Sequence, residues 1–175
     1  KEVLVDAIDL RGVKANTGNL IEGMEIKGTL GKLYAKADRI DLGKEIARLN
    51  KIDLSDTAIT LLMNDTTTNK DTTSTAVNWK LMLDQIDLDR VAFAMQMPGD
   101  SLRLSTYIDK AGLTDGIVDL GSARYSASQF LLSGSSLSYD GSYSDPAPGF
   151  DPAHIALNDV NIRIDSLLYG GRDIS

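Results

Sequence analysis

A short phrase of apolar and polar positions returns along the chain: IDLRGV at 8–13, IDLSDT at 52–57, IDLDRV at 86–91, VDLGSA at 118–123 and IALNDV at 155–160, with a weaker copy, IDLGKE, at 40–45. It consists of an aliphatic residue, any residue, Leu, two small or polar residues, then Val, Thr or Ala. The five main copies start 44, 34, 32 and 37 residues apart, irregular for a strict solenoid but close enough to mark a repeated structural unit. The period inside the unit is two, so alternate side chains share one face of a strand. Ile86 and Leu88 share a face, and the next apolar set, Val91, Phe93, Met95 and Met97, alternates on the opposite parity. Ile155 and Leu157 followed by Val160, Ile162 and Ile164 repeat the slip, as do Ile52 and Leu54 followed by Ile59 and Leu61. A straight strand would send the two sets to opposite faces. A bend or bulge at Asp89-Arg90, Asn158-Asp159 and Ser55-Asp56 lets both sets face inward.

The fold class expected is therefore all-β: an elongated, curved or folded, taco-like sheet built from strand-corner units. The apolar wall predicted comprises Ile8, Leu10, Ile52, Leu54, Ile86, Leu88, Val91, Phe93, Met95, Val118, Leu120, Ile155 and Leu157. Further short strands are expected at 24–30 and 102–108, and at most one short helix, at 43–50, where Ile46 and Leu49 lie three apart. Residues 64–75 hold no apolar side chain and read as a solvated loop, and 140–152, with three of the four prolines, reads as a second. The phrase occurs on both sides of each loop, so 1–175 is expected to be a single β-rich unit. It begins with Lys and is read as a fragment of a longer protein.

With 42% hydrophobic and 25% charged residues the chain can close one core of ordinary single-domain size, which rules out a disordered tail. A net charge of −7 argues against nucleic acid, whose phosphates require clustered cations. No Cys and one His exclude disulfides, thiolate chemistry and any metal site needing two such ligands. His154 lacks a recognisable catalytic partner in sequence and is read as structural. The serines of 133–138 lack the setting of a nucleophile elbow and read as a polar strand edge and turn, and no glycine pair is followed by a phosphate-binding lysine. Asp84, Asp87 and Asp89 offer oxygen ligands without the glycine and closing Glu of a calcium loop. Asp140, Tyr143 and Asp145 offer a carbohydrate-binding or carbohydrate-cleaving alternative on a secreted or surface β-helix or sandwich. Between 27 and 51, Lys27, Lys32, Lys36, Arg39, Lys44, Arg48 and Lys51 outnumber Asp38, Asp41 and Glu45, a basic bias suited to anionic head groups or simply to solvent. No catalytic residue, metal or cofactor is expected.

The passage VNWKLMLDQIDLDRVAFAMQM, continuing as GDSLRLSTYIDKAGLTDGIVDLGSARYSASQFLLSGSSLSYDG, resembles the TamB branch of the AsmA-like superfamily in its Bacteroides-type versions. The stretches IDLRGVKANTG and MEIKGTLGKLYAKADRIDLGKEIARLNKIDLSDTAITLLM are similar to it too, so the resemblance spans nearly the whole chain apart from the Thr-rich loop. It rests on repeated strand-and-corner phrases and carries no catalytic signature. The resemblance implies part of a periplasmic envelope protein, anchored in the inner membrane outside this fragment, with an apolar groove. It further implies phospholipid transport between the two membranes, or outer-membrane protein assembly and secretion with a TamA-like barrel partner. Lipid acyl chains would be the cargo in the first role.

Overall fold

The computed structural model describes residues 2–3, 6–18, 23–63, 78–141 and 148–170, and their fold is all-β. The strands are β1 (Glu2–Val3), β2 (Ala7–Asn16), β3 (Met24–Asp41), β4 (Ile46–Met63), β5 (Lys80–Met97), β6 (Leu102–Asp119), β7 (Arg124–Asp140) and β8 (His154–Tyr169). A single 3-10 turn, Pro98–Asp100, joins β5 to β6. All belong to one open sheet in the order β1-β3-β4-β5-β6-β7-β8, with β2 sharing β1's edge of β3. Every pairing is antiparallel except β4 with β5. A parallel pair needs a crossover rather than a hairpin. The connection includes the Thr-rich stretch 64–75, which lies outside the described residues.

Strands β3 to β6 are 18 residues long, far longer than the short strands expected. The reason is that the corners lie inside strands rather than between them. Left-handed backbone (positive φ) occurs at Asp56 (φ 51°), Arg90 (53°) and Asp159 (52°), one residue of each pair where the parity slip predicted a bend. Gly12 (62°) and Gly134 (58°) do the same in β2 and β7. Register aligns these positions across the sheet, with Gly31 in β3 and Asp109 in β6 standing opposite their left-handed neighbours. The result is a transverse crease crossing every strand from β2 to β8. Gly31 is required there by close approach: a Cβ would lie 2.5 Å from Asp56 Cβ and 2.7 Å from its carbonyl oxygen.

A second crease was not expected from the phrases. Asp115 (φ 50°) and Ser166 (76°) are left-handed, and register sets Asp84 opposite Asp115 and Ser128 opposite Ser166, while the β3–β4 register shifts around Ala37 where Asn50 is passed over. The creases are six residues apart in β5 (Asp84 to Arg90) and in β6 (Asp115 to Asp109). They bound a middle panel roughly 20 Å across at about 3.3 Å per residue.

Burial gives the direction of folding. A one-layer sheet has little packed on either face, so burial concentrates inside the corners; the exceptions, Asp41 (8% exposed) and Ala47 (6%), lie at the β3–β4 turn. Thr57 (3% exposed), Val91 (8%) and Ser135 (3%) are buried along the first crease, and Leu83 (8%), Ala127 (5%) and Gly116 along the second. All belong to the apolar face, so both creases fold toward it and the sheet is a three-walled trough. The two buried hydroxyls are satisfied by the corners themselves: Thr57 Oγ1 donates to the Ser55 carbonyl at 3.0 Å, and Ser135 Oγ to the Ser133 carbonyl at 3.1 Å.

Two expectations need correction. The helix at 43–50 is absent: 42–45 is a turn and Ile46 opens β4. Ala47 and Leu49 face inward there, so the spacing of Ile46 and Leu49 reflects two faces of a strand. The serines of 133–138 form the middle of β7, an internal strand with a corner, rather than an edge and turn.

Candidate functional site: an uncharged trough

The inner face can be followed row by row through the register. Leu10, Leu33, Leu54, Leu88, Ala111, Leu132 and Ile162 run across the middle panel, and Ile8, Ala35, Ile52, Ile86, Leu113, Phe130 and Ile164 run beside them. Beyond the first crease, Phe93 stands between Ile59 and Thr106, and Met95 between Leu61 and Leu104. Three methionines, Met24, Met63 and Met97, mark that lip, Met24 directly opposite Met63 and Met97 opposite Leu102. Among the described residues no charged side chain falls on the inner parity of β2 to β8. Its polar groups are Thr57, Thr106, Ser135 and tyrosines, of which Tyr125 and Tyr169 lie with ring centroids 6.1 Å apart.

Of the residues expected to line a wall, Ile8, Leu10, Ile52, Leu54, Ile86 and Leu88 fall in the middle panel. Val91, Phe93, Met95, Ile155 and Leu157 fall beyond the first crease, because β8 runs opposite to β5 and presents its phrase on the other side of the bend. Val118 lies in the third panel opposite Leu81. Leu120 follows β6 in a turn, 40% exposed, at the rim rather than along a wall. The phrases at 40–45 and 118–123 thus form turns instead of mid-strand corners. In the first, Asp41 Oδ1 accepts the backbone N–H groups of Gly43 (3.1 Å) and Lys44 (3.2 Å); in the second, Asp119 Oδ1 accepts that of Ser122 (3.0 Å). Burial pushes the Asp41 carboxyl up, but these backbone donors and Lys44 prevail and hold it below its ordinary value. A further copy of the phrase, FLLSGS at 130–135, departs from the pattern only at its ends, where Phe130 replaces the aliphatic residue and Ser135 the final Val, Thr or Ala.

The trough is not filled. Among the described residues no large side chain is fully buried, and Ile8, Leu10, Val13, Ile59, Leu157 and Ile162 on the inner face remain 39–46% exposed.

The outer face carries the charges in ladders. Arg11 pairs with Asp9 at 3.0 Å, Lys51 with Asp53 at 3.3 Å and Arg163 with Asp165 at 3.2 Å, each two residues apart on one strand. At the first crease Arg90 Nε donates to Asp56 Oδ1 at 2.7 Å and Nη1 to Asp89 Oδ1 at 2.5 Å, which holds a bulky side chain in the left-handed conformation. At the second, Asn50 Nδ2 donates to Asp84 Oδ2 at 2.9 Å. Gln85 donates to Asp87 at 2.6 Å, so Asp84, Asp87 and Asp89 each face a nitrogen donor. Among the described residues no group of three or more His or acidic side chains could hold a metal ion.

His154 has two carboxylate partners that sequence reading missed. Its Nδ1 is 2.9 Å from Asp151 Oδ2 and its Nε2 3.3 Å from Asp140 Oδ1, so it ties the start of β8 to the end of β7. Their separation in sequence, astride the 140–152 loop, gave the only clue. Tyr143 and Asp145, central to the carbohydrate alternative, lie outside the described residues.

Scanned against protein-family models the chain matches none, and a search of curated proteins returns no significant relative. The described residues present an uncharged inner face that stays partly exposed and an ion-paired exterior.

Proposed function

We propose that this chain is a structural conduit segment, TamB-like in kind, whose trough shelters lipid acyl chains in transit between the inner and outer membranes of a Gram-negative envelope. The observation that carries the reading is the absence of charge from an inner face that stays partly open across all strands. Each methylene taken from water into such a surface gains about 0.8 kcal/mol, so a continuous apolar floor lowers the barrier to moving a hydrocarbon chain through an aqueous space. Methionine at one lip suits a mobile occupant, because thioethers repack readily. In this reading the protein is non-enzymatic, works in the periplasm, and joins further segments and a TamA-like barrel partner. Support for outer-membrane protein assembly would use the same surface for apolar polypeptide.

The test is to purify the protein, extract it with organic solvent and analyse the extract by mass spectrometry, beside a Leu54→Gln, Leu88→Gln variant. Phospholipid is expected at near-stoichiometric yield from the parent and several-fold less from the variant. A lipid-free extract from folded protein would defeat the conduit reading.

A further inference from the structure

The sole imidazole of the chain stands between two carboxylates where the β7–β8 connection closes. His154 opens β8 and lies directly opposite Asp140, the last residue of β7. Three bonds build the closure: Gly141 N–H donates to the Ala153 carbonyl at 2.8 Å, His154 N–H to the Asp151 carbonyl at 3.1 Å, and Ala153 N–H to Asp151 Oδ1 at 2.9 Å. The turn thereby aims the other carboxylate oxygen of Asp151 at the ring, 2.9 Å from Nδ1, while Asp140 Oδ1 lies 3.3 Å from Nε2. The side chains of His154 and Asp151 are only 13% and 15% exposed, so solvent screens their contact weakly. Among the described residues the charged groups facing the ring are Asp151 from the connection and Asp140 from β7. Register sets Arg103 of β6 across from Asp140, and the Tyr139 phenol lies against Gly141.

A neutral imidazole has one N–H to offer, and its other nitrogen would set a lone pair against the second carboxylate. The imidazolium donates toward both. Opposite charges this close favour the charged ring, and two of them act against the single opposing effect of partial burial. We infer that the His154 proton is a latch: bound at neutral pH, it fastens the closure of the β7–β8 connection, and lost on alkalinisation, it loosens that closure while the sheet stays folded. The latch sits at the methionine lip of the trough, since its row runs from Asp140 through Arg103 to Gln96, next to Met97. What it positions is conspicuous: Phe150, the neighbour of Asp151, is 87% exposed, the highest value for a large apolar side chain among the described residues. The sign follows from linkage. A histidine whose folded value lies above its unfolded one, about 6.5, stabilises fully below that value and ceases to do so as pH rises through the folded one. The inference does not depend on the trough carrying lipid.

With one histidine in the chain, its ring protons can be followed by NMR without ambiguity. The midpoint of titration is expected about one pH unit above the ordinary 6.5, a tenfold preference for the charged ring. Asp140→Asn and Asp151→Asn are each expected to lower the midpoint, and the double variant to return it to the ordinary value. Hydrogen exchange at the Gly141 and His154 amides, corrected for the intrinsic effect of pH, reads the closure itself. Protection there is expected to fall about tenfold across the transition while the amides of β5 and β6 keep theirs. His154→Gln is expected to leave these two amides weakly protected at every pH, with the step gone. Circular dichroism verifies that each variant is folded; should a carboxylate variant fail to fold, the titration and exchange of the parent protein still decide. A midpoint at or below 6.5 would overturn the inference, as would a raised midpoint that protection of the two amides does not follow.

Discussion

At the scale of single residues, the fold is decided at positions where the backbone turns left-handed or approaches another strand too closely for a side chain. Aspartate tolerates the left-handed region better than most residues, and glycine does so without steric cost. Gly31 is different, because its backbone needs no positive φ but the space for a Cβ is occupied by Asp56. Gly31→Ala is therefore expected to force the β3–β4 pair apart at the crease and lower stability by about 1–3 kcal/mol, the range for inserting volume into a packed site. Urea denaturation with unchanged m-value checks it. The corners at Asp56, Arg90 and Asp159 were legible because an apolar alternation that changes parity has few physical explanations. Gly31 was not legible, since nothing in a strand pattern says which of its glycines faces a neighbour's corner.

At the scale of the strand pair, the first crease carries a charge contact that spans β4 and β5. A hydrogen bond from Arg90, aided by its charge, holds the Asp56 carboxyl below the usual carboxylate range. Asp165 is lowered by Arg163 and then Gln129, and Asp9 by Arg11. A carboxyl whose folded value lies below its unfolded one adds stability that is present above the unfolded value, about pH 4, and lost as pH falls through the folded value. The urea midpoint is accordingly expected to fall on acidification below that point, and Asp56→Asn to make the fall shallower. An unchanged acid limb in the variant would remove the pair from any role at the crease. Strand length was misjudged at this scale because a corner looks like an ending when only its phrase is read. The second crease was accessible to the same reasoning: Leu81 and Leu83 precede Ile86 and Leu88 on the opposite parity. The cation pairs Arg39/Arg48 and Lys36/Lys51 could not be foreseen, since they arise from register alone.

At the scale of the molecule, substantial contacts join strands only to their neighbours in the sheet, as in a repeat array. The all-β class and the inward convergence of apolar sets followed from the sequence; strand order and the parallel β4–β5 pair did not, because pairing direction leaves no mark on an alternating pattern. Protection against amide hydrogen exchange is expected to be greatest in β5 and β6, flanked on both sides, and least in β2 and β8 at the edges. Uniform protection across all strands would contradict a single-layer organisation.

The parallel pairing of β4 with β5 also divides the molecule's history of assembly. On either side of it, neighbouring strands in sequence are neighbours in space, so β2 to β4 and β5 to β8 can each zip together through short-range closures. The contact between them must wait for a longer crossover and is the natural last step. The two meanders are thus expected to close locally before they join, and the Asp56–Arg90 bond lies on the seam where they meet.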